Sequence, residues 1–287
     1  MAIVKPFKAV RPSRDKVALV SSKSYDAYTD KELDAKLEFN PFSFLHIINP
    51  GYKYHQEFTG EQRFQMIHNR YEEFKENKIF IKDSSDSFYI YESSDTHNSF
   101  CGIIAATAVD DYSNGYIKKH EGTIKKREKL FENYLKATGF NAEPVLLTYE
   151  DDENFNKLLQ TLKEKRPEYE FSTTDKKLHR LWLIDDEINI EKITSFFEKK
   201  EALYIADGHH RSESSSLLKK ALQKENNHHN GTENYNYFMS YIIPESNLKI
   251  SEFNRFIKDL NGLTIDEFLI ELDKSYRIEE KGERFYK

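Results

Sequence analysis

The feature that most constrains the fold is a run of ten residues at positions 100–109, which reads FCGIIAATAV. The run is apolar at both odd and even positions, which is typical of a strand buried on both faces of a sheet. A helix that crosses a bilayer needs about 20 apolar residues, so this run is too short for that role. It therefore predicts a central strand of a sheet.

The rest of the chain predicts strands and helices in mixed order. Predicted strands cover residues 44–48, 87–92, 144–149, 178–184, 202–206 and 236–243; predicted helices cover residues 30–39, 61–78, 123–138, 153–165, 190–200, 212–224 and 264–274; residues 1–28 are predicted irregular. Because strands and helices do not alternate strictly, we predict an α+β, or mixed α/β, fold rather than a doubly wound sheet. An acidic linker near residue 150 predicts an N-terminal α/β region at 1–150 and a second region at 151–287.

Composition narrows the function classes. The 287 residues include 43 Lys plus Arg and 49 Asp plus Glu, for a formal net charge of −6, which disfavours nucleic acid as a partner. The single cysteine, Cys101, excludes an internal disulfide, and the amino terminus lacks the apolar core of a signal peptide. We expect a cytoplasmic protein with a small-molecule substrate and no membrane partner; its oligomeric state stays open.

The sequence Asp207-Gly208-His209-His210-Arg211 carries the strongest chemical signal. It follows a predicted buried strand and precedes a predicted helix, so the glycine permits a sharp turn while helix amides point at a ligand. Arg211 can hold two phosphate oxygens, the two histidines add donors or protons, and Asp207 can hold Mg²⁺ or orient a histidine. We therefore predict an anion site, most plausibly for a nucleotide phosphate. The alternatives are a capped helix with a polar first turn and a zinc site, although HExxH and paired cysteines are absent.

A second group of polar residues comprises His120, Glu121, Thr123 and Arg127. Glu121 precedes a predicted helix, where a carboxylate commonly does no more than interact with the helix dipole. Alternatively it is a general base, provided that the fold brings it to a substrate hydroxyl. From the residues alone the first interpretation is favoured.

Several separate motifs of this sequence, in the order in which they occur, resemble those of the large prokaryotic family known as domain of unknown function 1015. The resemblance covers nearly the whole chain and rests on Lys5-Pro6-Phe7, Ser24-Tyr25-Asp26, Asn40-Pro41 with Phe44-Leu45-His46, the stretch 115–127 with its HExT core, His179-Arg180-Leu181-Trp182 and Ala206-Asp207-Gly208-His209-His210-Arg211. The family usually continues with a Lys-Ser-Thr motif that this sequence lacks, and the charged stretch 279–287 has no closing signal. We therefore expect a chain truncated at its carboxyl-terminal end.

DGHHR between strand and helix is also similar to the nucleotide-binding motif of the ParB/sulfiredoxin superfamily, whose free-serine kinases carry a His-Glu dipeptide upstream. This resemblance implies a ParB/sulfiredoxin-like core with a large inserted or N-terminal α/β subdomain. It implies a kinase that uses ATP or ADP with Mg²⁺ and phosphorylates a small hydroxyl metabolite, free L-serine being the candidate. The alternatives are a ParB-like nucleotide-binding switch without transfer and a metal-dependent hydrolase.

The same resemblance implies that Glu121 is the base and that Asp207, His209, His210 and Arg211 form the phosphate and catalytic loop. With the other candidate residues, the predicted roles fall into three groups. The catalytic group is Glu121 as base with His120, Asp207 and His209, and Asp207 also holds the metal; the phosphate or nucleotide group is Gly208, His210, Arg211, Thr123 and Arg127; the substrate group is Tyr25, Asp26 and Asn40. The alternative for Tyr25, Asp26 and Asn40 is a purely local role in turns.

Overall fold

The structure is a computed structural model that describes residues 2–250 and 257–278. It divides into two compact units, Met1–Leu248 and Lys249–Lys287. The described ranges contain eleven α-helices: α1 Val17–Val20, α2 Asp30–Phe39, α3 Leu45–Ile48, α4 Gly51–Tyr54, α5 Gly60–Glu76, α6 Val109–Ser113, α7 Lys125–Thr138, α8 Glu153–Lys163, α9 Glu187–Glu198, α10 His209–Glu225 and α11 Ile265–Asp273. Only α11 belongs to the second unit. None of the helices in these ranges has the length and apolarity that crossing a membrane requires.

A mixed nine-stranded sheet forms the centre of the first unit, so the fold is mixed α/β as predicted. The strands are β1 Val4–Lys5, β2 Val10–Pro12, β3 Phe80–Lys82, β4 Phe88–Ser94, β5 Ser99–Ala108, β6 Ile117–Lys118, β7 Val145–Tyr149, β8 Tyr169–Ser172, β9 Leu178–Ile184, β10 Leu203–Asp207 and β11 Tyr237–Pro244. The large sheet has the order β6-β10-β7-β11-β5-β4-β9-β8, β1 pairs with β5, and β2 and β3 form a separate pair. The predicted central strand is confirmed, since β5 lies between β11 and β4.

One face of this sheet packs into the main hydrophobic core. Alternate positions of neighbouring strands, among them Ile90, Ile103 and Ile205, are at most 1% exposed and contact side chains of α8 and α9. Trp182 belongs to the same core and is 5% exposed. A second, smaller cluster gathers α1, α3, α5 and β3, with Phe74 at its centre.

Several elements differ from the sequence prediction. The predicted strand at 44–48 is wrong: residues 45–48 form helix α3, with Phe44 as its N-cap, because a short apolar run carries no periodicity that separates helix from strand. His46 bonds back to the Asn40 carbonyl oxygen at 3.1 Å. The predicted irregular stretch 1–28 contains β1, β2 and α1, whose partners lie far away in sequence: Val4, for instance, pairs with Thr107.

The two motif-bearing regions share the large sheet. The predicted division near residue 150 falls inside the first unit, and strands from both sides of that position pair directly, as β6 does with β10 and β5 does with β11. The charged stretch 279–287 lies outside the described residues.

Candidate functional site

Two neighbouring parallel strands position both motifs. Strand β6 lies at the edge of the sheet and pairs in parallel with β10, with Ile117 opposite Leu203 and Lys118 opposite Tyr204. Parallel strands end at the same edge of a sheet, so the residues that follow them lie close together. His120-Glu121 therefore meets Asp207-Gly208 although 86 positions separate Glu121 from Asp207 in the sequence.

Gly208 makes the turn from β10 into α10. Its φ of +101° is a conformation that L-residues rarely adopt, and a Cβ there would lie 3.2 Å from Arg211 Nε and 3.3 Å from Val145 Cα. Helix α10 begins at His209, not at the predicted Ser212, so His209, His210 and Arg211 form its first turn. No side chain caps this N-terminus. The first turn is polar, as the sequence predicts, and its N-cap position is Gly208.

His209 joins the two motifs. Its side chain is 5% exposed, and its Nδ1 lies 3.7 Å from Glu121 Oε2, while the backbone N–H of His120 donates to its Nε2 at 3.5 Å. The His120 and His209 rings pack edge to face at 4.5 Å between centroids. Burial, together with the charge of His120, lowers the pKa of His209, which favours the neutral ring.

The carboxylate of Glu121 is 64% exposed and remains open to solvent. It lies in the loop before α7, a helix that begins at Lys125 and not at the predicted position 123. The N-cap of α7 is Ile124, which has no side-chain cap bond, so Glu121 is not a capping residue. Its carboxylate instead faces the buried ring of His209.

Arg211 is held by protein groups. Its guanidinium pairs with Asp207, donates to the Pro144 carbonyl oxygen and lies 3.6 Å from Glu143 Oε2. Glu143 was not predicted from the sequence, because it precedes a strand and belongs to no motif. It reaches the site because β7 runs antiparallel to β10 and begins where β10 ends.

Asp207 is turned by an irregularity in β10. Regular pairing would place Ala206 opposite Leu146, but the register shifts after Ile205 and places Asp207 there. Such bulges re-aim side chains and are frequent beside active sites. Asp207 is 69% exposed, so its carboxylate can exchange Arg211 for another cation.

Helices α7 and α10 pack against each other through small residues. Ser214 donates to the Glu128 carbonyl oxygen of α7 at 3.2 Å and to the His210 carbonyl oxygen at 2.6 Å. These short buried hydroxyls allow close approach of the two helices while satisfying their own hydrogen bonds. This packing keeps α7 beside α10. Arg127 is exposed in the first turn of α7, and Thr123 is partly exposed in the loop before α7.

The predicted substrate residues lie in a different part of the first unit. Tyr25 and Asp26 belong to a 3-10 turn, Tyr25–Ala27, and Tyr25 is 45% exposed. Asn40 donates to the Leu19 carbonyl oxygen at 2.7 Å and stabilises a turn. No hydrogen bond, ion pair or ring contact among the described residues joins Tyr25 or Asn40 to the two motifs, and their substrate role stays a prediction.

Metal and pocket geometry add two facts. Within residues 2–250 and 257–278, no three His, Cys, Asp or Glu side chains are grouped as one metal site would require. Two shallow pockets lie elsewhere, one along α8, lined by residues such as Lys157, and one between α8 and α9, lined by residues such as Phe155 and Ile188. The candidate site lies at the edge of the sheet that β6 forms.

Comparison with known proteins gives a family and no activity. A sequence model of the family described as "Protein of unknown function (DUF1015)" matches residues 4–286. No curated protein and no solved structure matches the chain.

Proposed function

The chain belongs to this DUF1015 family, and we propose that it is a nucleotide-dependent phosphotransferase with a ParB/sulfiredoxin-like core that phosphorylates a small hydroxyl metabolite, free L-serine being the candidate. The observation that carries the proposal is the meeting of His120-Glu121 with the DGHHR turn at the ends of β6 and β10. A carboxylate open to solvent thereby lies beside His209, the first residue of a helix whose N-terminus has no side-chain cap and whose first turn carries Arg211. Phosphoryl transfer needs charge neutralisation and positioning more than covalent chemistry, and these groups supply both.

The phosphate side of the site is formed by the first turn of α10. Free amide groups and the positive end of the helix dipole attract an anion there, and the left-handed Gly208 lets the backbone approach it closely. The Arg211 guanidinium is 28% exposed and its present partners include two exposed carboxylates, Asp207 and Glu143. A phosphate can replace these partners because bidentate arginine–phosphate bonds are strong. Thr123, in the loop before α7, and Arg127, in its first turn, are assigned to the same phosphate group because α7 packs against α10.

The donor set suits a magnesium nucleotide. Mg²⁺ bound with phosphates needs only one or two protein carboxylates, and Asp207 offers an exposed one. A bound magnesium nucleotide would supply the transferable phosphoryl group and neutralise its charge. Asp207 would then hold the metal and release Arg211 to the phosphate oxygens.

Glu121 is assigned the role of general base. It accepts the proton of the acceptor hydroxyl while that oxygen forms its bond to phosphorus and the bond to the leaving nucleotide oxygen breaks. Neutral His209, buried and 3.7 Å from Glu121, positions the carboxylate without quenching its charge. His120 shields this pair from one side through its ring contact with His209.

Calorimetry with ADP and ATP in the presence of Mg²⁺ tests the phosphate site. Wild type should bind one of them, and Arg211→Ala should bind it at least tenfold more weakly, because a charged bidentate partner is lost. Arg166→Ala is the matched control, since Arg166 is an exposed arginine outside both motifs. Loss of binding in both variants would indicate a general charge effect and contradict the assignment of Arg211.

A phosphorylation assay with free L-serine and other small hydroxyl compounds tests the reaction. Glu121→Gln should lower turnover at least a hundredfold while nucleotide affinity stays close to wild type. Full activity of this variant would refute the role of Glu121 as base. Tight nucleotide binding by wild type without transfer to any acceptor would refute the kinase and favour a nucleotide-dependent switch.

A further inference from the structure

An exposed aromatic and a cation stand side by side at the sheet edge that leads to the phosphate site. Tyr204 of β10 is 50% exposed, and its register partner on β6 is the exposed Lys118. Neither side chain has a hydrogen bond, an ion pair or a ring contact with any described residue. Both side chains are therefore available to a ligand.

The strand geometry places this pair on the same face as the phosphate site. Tyr204 lies opposite Thr148 of β7, and the bulge places Asp207 opposite Leu146, two residues further along β7. Residues two apart on a strand point to the same face, so Tyr204 and Asp207 share a face because of the bulge. Without the bulge, Asp207 would point to the opposite face.

The spacing fits one nucleotide. Tyr204 and Asp207 lie opposite Thr148 and Leu146, which are two residues apart on β7, so the bulge leaves them about 7 Å apart along the strand at about 3.3 Å per residue. On the neighbouring segment, Lys118 ends β6 and Glu121 follows three residues later in the loop before α7. A ribose and its first phosphate bridge a gap of this kind, so phosphates bound by Arg211, with their metal ion at Asp207, would leave the base over Tyr204.

We propose that Tyr204 and Lys118 form the nucleoside subsite, with the nucleobase stacked on the Tyr204 ring and Lys118 beside it. The inference rests on the proposed function and adds to it the place where the nucleoside is recognised. Tyrosine stacks on any base because every base has a π face, and a neighbouring ammonium group adds a cation–π contribution. The pair therefore supplies affinity for a nucleoside as such, with little discrimination between bases.

The test compares a nucleotide with the matching polyphosphate. Calorimetry measures ADP against inorganic pyrophosphate and ATP against inorganic tripolyphosphate, for wild type, Tyr204→Ala, Tyr204→Phe and Tyr54→Ala. Tyr204→Ala should lower nucleotide affinity by about five- to a hundredfold, which is the range expected when a stacking aromatic is removed. It should leave polyphosphate affinity unchanged. Tyr204→Phe should restore wild-type affinity, and Tyr54→Ala, at a tyrosine 41% exposed on α4, should have no effect.

The outcomes separate the two proposals. If wild type binds nucleotide and Tyr204→Ala binds it equally well, the nucleoside subsite is refuted while the phosphate site stands. The same conclusion follows if Tyr204→Ala loses affinity for nucleotide and for polyphosphate to the same degree. If wild type binds polyphosphate as tightly as nucleotide, the subsite is likewise refuted. If wild type binds neither, both the subsite and the proposed function are overturned.

Discussion

Replacing Gly208 by alanine is a sensitive test of the turn on which the candidate site depends. The φ of +101° is strained for any L-residue, and the left-handed region costs about 1–2 kcal/mol. The new Cβ would also meet Arg211 Nε at 3.2 Å, Arg211 Cζ at 3.3 Å and Val145 Cα at 3.3 Å. Arg211 is a flexible side chain and can move, whereas the backbone of Val145 is fixed in β7.

These effects set the expected magnitude. Backbone strain contributes about 1–2 kcal/mol, and a weakened, partly exposed Arg211–Asp207 pair contributes up to about 1 kcal/mol. Alanine also stiffens the unfolded chain, which offsets about 0.4–1 kcal/mol. The free energy of unfolding should therefore fall by about 1–2 kcal/mol, or roughly 2–8 °C in Tm for a unit of this size. Because Arg211 must shift by a few tenths of an ångström to make room for the new Cβ, nucleotide affinity should fall as well.

Gly231 provides the matched control. It has a φ of +90° in the loop after α10, and a Cβ there would meet nothing within 4 Å. In denaturant unfolding, the free energy of unfolding of Gly231→Ala should fall by a similar contribution from backbone strain. Its nucleotide affinity in calorimetry should stay that of wild type. If Gly208→Ala is as stable as wild type and binds nucleotide normally, or if both variants lose binding alike, the argument from the Gly208 turn is refuted.

Two further predictions concern buried charge and pH. Glu92→Gln leaves the Lys163 ammonium, 2.6 Å away and 12% exposed, without its charged partner, and should lower the free energy of unfolding by about 3 kcal/mol. The control Glu170→Gln, at an exposed ion pair, should lower it by less than about 1 kcal/mol. Equal losses for the two variants in denaturant unfolding would contradict the distinction between a buried and an exposed ion pair. The pKa of His209 in the folded protein lies below its value of about 6.5 in the unfolded chain. The neutral ring therefore contributes stability at pH values above the unfolded pKa, and this stability is lost as pH falls through the folded pKa. His209→Gln should therefore flatten the fall in stability between about pH 7 and 5, and an unchanged slope would refute the assignment.

The sequence was informative wherever local chemistry determines the structure. Helix α2 has the predicted bounds because Thr29 and Glu32 form a capping box at its start, with Pro41 just beyond its end. Strand β9 also has its predicted bounds, Leu178–Ile184. Gly208 was predicted to make a sharp turn, and its left-handed φ confirms this. In these cases the signal lies within a few residues of the feature.

Other parts of the site depend on contacts that no local pattern records. Strand β6 has two residues, too few for any period to appear, yet its parallel pairing with β10 brings Glu121 to His209. Glu143 reaches Arg211 only because β7 runs antiparallel to β10.

The register shift after Ile205 shows most clearly why local patterns were insufficient. Alternation along residues 203–207 predicts that Asp207 points to the same face as buried Leu203 and Ile205, where an unpaired carboxylate would be costly. The bulge removes this cost by moving Asp207 to the open face that also carries Tyr204. A carboxylate at the end of a buried strand is thus a sequence signal for such a bulge, because the alternative places a charge in the core. The same shift puts Asp207 within reach of Arg211, so the irregularity that relieves the core also forms the site.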